Sequence, residues 1–504
     1  MRTEKDLKIN EIRSYNTKDE STGTVSAGSI LKNVVLNTNN NIANASNIAE
    51  NANVVGENIV LNAKNDIGSK IKFFKVDTTD DTNGLSFDAQ NAYINGVGHD
   101  LNIVSSNSKG DTNILSDLSV KVKDTVANGD LIIDSSKDTI LAGNVAANKI
   151  NINSANETNL SNIVLNSDLK NTSTMLTVEN SELKNIVSTS TNANILGSTV
   201  NNDAQITTTE TTTISNSNFN NNLKNDSNIS IVDGLSVADD VEITTTENTK
   251  IAKADVQGDF VNKSKNTEIS NKLTVKGDTN LDVEKTVSIA NAELKNLKST
   301  STTANISNMS VADDVEITTT ENTTIGTANI SGNLTNNSTN TEITELTVGG
   351  NANITSSENT KIAKADVQGD FVNKSKNTEI SNKLTVKGDT NLDVEKTVSI
   401  ANAELKNLKS TSTTANISNM SVADDVEITT TENTTIGTAN ISGNLTNNST
   451  NTEITDLTVG GNANVTSTEN TTIGTANISG NLTNNSTNTE ITELTVGGLS
   501  LIHI

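Results

Sequence analysis

The chain has 504 residues, of which 32% are hydrophobic and 2% aromatic, and its formal net charge is −25. So few large apolar side chains cannot fill several globular cores, and the lack of cysteine excludes a disulfide framework, a zinc finger and a catalytic thiol. The acidic balance argues against nucleic-acid binding.

The N-terminal residues 1–27 are charged and show no regular apolar pattern, which predicts an irregular segment. This start lacks the apolar region of a signal peptide, and no later run reaches the roughly 18 apolar residues of a membrane span. The sequence therefore predicts neither an export signal nor a membrane span in this chain.

Residues 28–233 contain short apolar alternations that differ from one another in length and spacing. Examples are GENIVLNAKNDIGS, HDLNIVSS, GDLIIDSS and NKININSA. Alternation over a few residues, interrupted by Gly, Asn and Ser, is typical of short strands and turns. We expect irregular β-coils here.

Residues 234–498 form a regular array. The segment Glu247–Thr360 returns almost unchanged as Glu358–Thr471, so the repeated block runs from residue 247 to residue 357. Equally spaced glutamates, such as Glu247 and Glu284, divide this block into three units of about 37 residues. The isoleucines at 325, 343 and 362 divide each unit again, so the repeating element is one coil of about 18–19 residues.

These features predict an all-β fold, a parallel β-helix in which each coil pairs with the next. At about 4.8 Å per coil, about 27 coils would give an elongated rod on the order of 130 Å long. A left-handed hexapeptide helix needs an aliphatic residue at every sixth position, which is not the spacing here, so we expect a right-handed helix. The apolar tail, residues 499–504, has no polar cap and indicates a truncated chain.

One asparagine precedes the leading isoleucine of many coils by three positions. Stacked at the strand spacing, such side chains can form a ladder of amide hydrogen bonds. Glycosylation is an alternative for other asparagines, in sequons such as Asn333-Leu-Thr. The predicted ladder comprises Asn322, Asn340, Asn359, Asn377, Asn433, Asn451, Asn470 and Asn488.

A column of glycines recurs at one position of each coil. A corner requiring positive φ or close stacking explains this better than a phosphate-binding loop, because no GKS or GKT follows. The predicted corner glycines are Gly332, Gly350, Gly369, Gly388, Gly443, Gly461 and Gly480.

The remaining motifs offer little chemistry. The acidic ADDVEI segments, as at Asp313 and Asp314, are read as solvated turns rather than calcium sites, and the threonine runs as exposed strand rather than an ice-binding face. With only His99 and His503, and adjacent strand carboxylates facing opposite sides, we predict no enzyme, no metal site and no cofactor.

The segments GENIVLNAKNDIGS, FDAQNAYING and GNLTNNSTNTEITELTVGGNANITS resemble the repeat regions of filamentous haemagglutinin-like bacterial adhesins. The resemblance implies a right-handed β-helical rod at the bacterial surface, secreted by a two-partner or autotransporter route. It also implies an unidentified ligand on host cells, matrix or other bacteria, and an outer-membrane transporter acting on a longer parent protein. The alternatives are a cytoplasmic polymerising scaffold of the bactofilin type and, more remotely, a polysaccharide-acting β-helix enzyme or an ice-binding solenoid.

Overall fold

The structure is a computed structural model that describes residues 2–12, 17–18, 25–26, 32–48, 51–80 and 82–503. These residues form an all-β protein without helices, in which parallel strands stack as a β-solenoid. Among the described residues no helix is long and apolar enough to cross a membrane. The predicted all-β parallel β-helix is confirmed.

The chain forms two compact units, Met1–Thr246 with Ala254–Gln257 and Glu247–Lys253 with Gly258–Ile504. Strand β27 (Val241–Val256) contributes residues to each.

Unit 1 is built mostly from short strands that pair in parallel with the coil before and the coil after, whereas β3 and β4 form an antiparallel pair. The strands are β1 Arg2–Thr3, β2 Leu7–Ile9, β3 Thr17–Lys18, β4 Val25–Ser26, β5 Asn33–Thr38, β6 Ile42–Asn44, β7 Val54–Gly56, β8 Asn58–Ala63, β9 Phe74–Thr78, β10 Gly84–Ala89, β11 Ala92–Gly96, β12 Leu101–Ser108, β13 Thr112–Ser116, β14 Val120–Ala127, β15 Leu131–Ser135, β16 Thr139–Ala146, β17 Lys149–Ser154, β18 Glu157–Ser161, β19 Val164–Glu179, β20 Glu182–Leu196, β21 Thr199–Val200, β22 Ala204–Thr208, β23 Thr211–Ser215, β24 Asn218–Phe219, β25 Leu223–Asp233 and β26 Leu235–Val237.

Unit 2 has longer strands, because the backbone stays extended around several corners; two of its strands run for 42 residues. The strands are β28 Phe260–Ser301, β29 Thr303–Val311, β30 Val315–Thr319, β31 Asn322–Ile330, β32 Leu334–Val348, β33 Ala352–Val367, β34 Phe371–Ser412, β35 Thr414–Val422, β36 Val426–Thr430, β37 Asn433–Ile441, β38 Leu445–Val459, β39 Ala463–Ile478, β40 Leu482–Val496 and β41 Ser500–His503.

The register in unit 2 agrees with the predicted coil length. Ile325 pairs with Ile343, Ile343 with Ile362, and Ile362 with Ile380. The asparagines three positions before these isoleucines bond to one another at sequence separations of 18, 19 and 18. One coil of the regular array therefore has the length that the repeat predicts.

The coils at the start of unit 1 are longer than predicted. Ile59 pairs there with Val34 on one side and with Leu85 on the other. The side chain of Asn58 donates to that of Asn33 at a sequence separation of 25. The coil length of the regular array thus does not extend to this end of the chain.

The N-terminal segment differs from the expectation of an irregular stretch. Strands β1 and β2 pair in parallel with β5 and β6, and Leu7 and Ile9 are buried. An alternation over so few positions is too short to stand out as a period in the sequence. Residues 1, 13–16, 19–24 and 27 of that segment lie outside the described residues.

The core of each coil is a narrow column of aliphatic side chains. Successive strand residues face opposite sides, so every second side chain points inward and stacks on its counterpart in the next coil. In unit 2 Ile325, Ile343 and Ile362 are no more than 1% exposed, and Phe260 and Phe371 are fully buried. The register of the paired strands thus establishes the parallel stacking and the coil length of unit 2. The right-handed winding of the solenoid stays a prediction.

Candidate functional surface: ladders across the coils

The asparagines singled out in the sequence lie directly above one another in unit 2. The amide Nδ2 of Asn340 donates to Oδ1 of Asn322 at 3.2 Å, Asn359 to Asn340 at 2.9 Å and Asn377 to Asn359 at 3.1 Å. Asn451, Asn470 and Asn488 repeat the pattern above Asn433, at 3.2, 2.7 and 2.9 Å. Each side chain inside a ladder accepts from one neighbour and donates to the other, which ties consecutive coils together.

The glycines of the predicted corner column lie at bends between strands, except Gly388, which falls inside the continuous strand β34. None of them has positive φ. Their role is close stacking, because a Cβ on Gly350 would lie 2.8 Å from the carbonyl oxygen of Gly332 and 2.5 Å from Oδ1 of Asn333. The corner thus requires glycine for space between coils.

A second polar column, which the sequence reasoning missed, runs beside these glycines. Oδ1 of Asp314 accepts the backbone N–H of Asn333 at 2.7 Å, and Oδ1 of Asn333 accepts that of Asn351 at 2.8 Å. Oδ1 of Asn351 continues the series by accepting the backbone N–H of Asp370 at 2.7 Å. The signal in the sequence is an Asn or Asp immediately before the apolar residue that reopens each strand, as in Asn333-Leu334.

Unit 1 has the same kind of column. Oδ1 of Asp66 accepts the backbone N–H of Asn91 at 3.1 Å, and Oδ1 of Asn91 accepts that of Asp111 at 3.0 Å. The backbone N–H of Asp130 then donates to Asp111 at 3.1 Å. An Asn or Asp side chain at this corner therefore satisfies a backbone donor that the bend would otherwise leave unpaired.

A polar corner inside the coils was also missed. The fully buried Asn336 donates through Nδ2 to the hydroxyl of Thr341 at 2.7 Å, and Thr341 bonds to Ser356 of the next coil, also at 2.7 Å. Ser356 in turn bonds to Thr360 at 3.0 Å. Buried hydroxyls thus form a network across coils at a corner that aliphatic side chains do not fill.

The threonine runs contribute to this interior, contrary to the expectation of an exposed strand. Thr319 and Thr323 are buried, and their hydroxyls lie 3.0 Å apart. The chain bends at Thr320 and Glu321, which turns threonines on both sides of the bend inward.

Lysines on the outer faces of unit 2 pair with acids one coil away. Nζ of Lys376 lies 3.0 Å from Glu358, and Nζ of Lys364 lies 2.7 Å from Glu345. The hydrogen bond with Glu358 raises the pKa of Lys376 above its usual value. Exposed pairs of this kind contribute little to stability.

The other singled-out residues remain on the surface. Asp313 and Asp314 lie at a bend and are exposed. The prediction that they are neighbouring strand residues with side chains on opposite faces is therefore wrong. His99 is 65% exposed and its Nδ1 lies 2.8 Å from Asp77, whereas the side chain of His503 lies outside the described residues. Within the described part of the chain, no three His, Asp or Glu side chains are grouped closely enough to hold a metal ion.

No protein-family model matches the chain, and the comparisons with curated proteins and with solved structures give no match.

Proposed function

We propose that this chain is the structural shaft of a bacterial surface adhesin, which spaces or mediates attachment to host cells, matrix or other bacteria. Export of a longer parent protein through an outer-membrane transporter belongs to the same proposal. The resemblance of the repeats to filamentous haemagglutinin-like adhesins supports it.

One structural observation carries the proposal: the duplicated block repeats its contacts as well as its sequence. Asn359 donates to Asn340 at 2.9 Å, and one block later Asn470 donates to Asn451 at 2.7 Å. At the corner, the backbone N–H of Asn333 and that of Asn444 each lie 2.7 Å from the carboxylate one coil below. Each added block therefore lengthens the stack without requiring a new kind of contact, as a spacer needs.

The location is tested by labelling bacteria that produce the full-length parent. An antibody against the NLTNNSTNTEIT repeat should label intact cells, and protease added outside should remove that signal. Labelling that appears only after lysis would contradict the proposal and would favour a cytoplasmic polymerising scaffold.

The spacing role is tested by removing one whole block, residues 358–468, from the parent protein in these cells. Attachment to the target surface should fall while the amount of antibody label per cell stays unchanged. Equal attachment by the shortened and full-length proteins would contradict a spacing role.

A further inference from the structure

One coil of unit 1 carries a short turn that the next coil lacks. Ile67 pairs with Ala92 and Phe74 pairs with Ile94, so the chain advances seven positions where the next coil advances two. The extra residues form a tight turn in which Ser69 and Lys72 exchange both backbone hydrogen bonds, each at 3.0 Å. In repeat proteins, insertions into single coils form surface loops, and such loops often carry binding.

The tip of this turn presents an apolar side chain to solvent. Ile71 is 97% exposed, the highest value for a large aliphatic residue in the described part of the chain. Another exposed isoleucine, Ile48, lies in the preceding coil, where its carbonyl oxygen accepts from Nζ of Lys75 at 3.1 Å. An isoleucine as exposed as Ile71 is unusual in a chain that buries most of its isoleucines in the core.

The charge around Ile71 is opposite in sign to that of the whole chain. Lys70 and Lys72 flank it directly, both are exposed, and neither forms an ion pair with another described residue. The whole chain, by contrast, has a net charge of −25. The turn is therefore a small cationic and apolar projection on an acidic protein.

The base of the turn is held in place by packing and hydrogen bonds. The ring of Phe73 packs edge-on against Tyr93, with centroids 5.9 Å apart, and the carbonyl oxygen of Phe73 accepts from Asn44 Nδ2 at 2.8 Å. Gly68 has φ +70°, and a Cβ there would lie 2.9 Å from the backbone nitrogen of Phe74. These constraints hold Ile71 outward, away from the core.

We propose that the turn Ser69–Lys72 is a contact site for the surface of an anionic phospholipid membrane. Ile71 enters the boundary between headgroups and acyl chains, while Lys70 and Lys72 lie among the lipid phosphates. A convex tip with one projecting aliphatic side chain suits a deformable lipid surface, whereas a protein partner would need a pocket shaped to receive it. With one inserted side chain and two cations, binding is weak and reversible. This inference does not depend on the proposed function.

The test uses the full chain and vesicles of phosphatidylcholine with or without phosphatidylglycerol. The protein should co-sediment with the anionic vesicles only, and added salt should weaken binding by screening the lysines. Ile71→Ser should lower the partition coefficient about tenfold, and Lys70→Gln with Lys72→Gln should remove the preference for anionic vesicles.

The matched control is Ile231→Ser, which changes a 41% exposed isoleucine of strand β25 in the same unit and should leave vesicle binding unchanged. Circular dichroism checks that each variant is folded. The proposal is overturned if the unmodified chain does not bind anionic vesicles, or if Ile71→Ser binds them as well as the unmodified chain does.

Discussion

At the scale of single residues, the type of residue at each position depends on whether its side chain points into the coil or out to solvent. Ile330 is 2% exposed and stacks between Val311 and Val348, whereas Asn329 beside it is exposed. An inward position accepts an aliphatic residue, or a polar one whose donor finds a partner inside the coil, as Nδ2 of Asn336 does in Thr341. A charge has no such partner in the aliphatic column.

Ile330→Asp places an unpaired carboxylate between coils and should lower the free energy of unfolding by about 4 kcal/mol or more. Asn329→Asp is the matched control, because it adds the same charge at the neighbouring exposed position. Thermal unfolding followed by far-UV circular dichroism measures both. Equal midpoints for the two variants would show that Ile330 does not face the core.

The buried Asn336 tests the polar corner at the same scale. Asn336→Ala removes the donor to Thr341 and leaves a small cavity, so we expect a loss of about 1–3 kcal/mol. Asn337→Ala, at the adjacent exposed position, should change stability by less than about 0.5 kcal/mol. Denaturant unfolding distinguishes the two, and a loss as small for Asn336→Ala as for Asn337→Ala would argue against the network.

At the scale of the structural element, the corner is the critical part of the coil. At one bend, Gly332 lies above Asp313 and Asp314 of the coil below, and the backbone nitrogen of Gly332 is 3.0 Å from the carbonyl oxygen of Asp313. Strand pairing and the column of Asn and Asp side chains both depend on this short separation between coils. The corner is therefore limited by space rather than by backbone conformation, since Gly332 does not have positive φ.

Gly332→Val should lower the free energy of unfolding by about 1–3 kcal/mol, because a Cβ would lie 2.6 Å from the carbonyl oxygen of Asp313 and would push the coils apart. Ser331→Val changes the exposed neighbour at the same bend and serves as the control. Hydrogen exchange of the backbone amides around residue 332 should rise only in the glycine variant. Unchanged protection there would contradict the stacking role.

At the scale of the whole molecule, the contacts are regular and local. In unit 2 the strands pair with the coil before and the coil after, at sequence separations that stay close to one coil length. Stability in such an arrangement is approximately a sum of coil and interface terms, so coils can be added or removed in whole numbers. The excess of negative charge adds solubility, which helps a protein with so much exposed surface.

Deleting residues 358–468 joins Ser357 to Glu469 and removes one whole block without changing the register, because Glu469 occupies the position of Glu358 in the repeat. We expect the shortened protein to keep its β-sheet circular dichroism signal per residue and a similar midpoint of thermal unfolding. The shorter deletion of residues 358–459 would leave half a coil out of register and expose aliphatic columns, so it should unfold at a lower temperature or aggregate. Equal behaviour of the two deletions would contradict the coil assignment.

The fold class, the coil length of the regular array and the inward positions of Ile325 and Ile343 follow from the sequence, because strict spacing shows which residues stack. The buried polar residues could not be predicted in this way: Asn336, Thr319 and Thr323 look like surface residues, and it is the bends of the folded chain that turn them inward. The column of Asp314, Asn333 and Asn351 was also visible only in the folded structure. Hydrogen bonds between a side chain and the backbone of the next coil produce no periodic pattern of apolar residues in the sequence. The same holds for the turn at Ile71, since its extra residues are visible only against the register of the next coil.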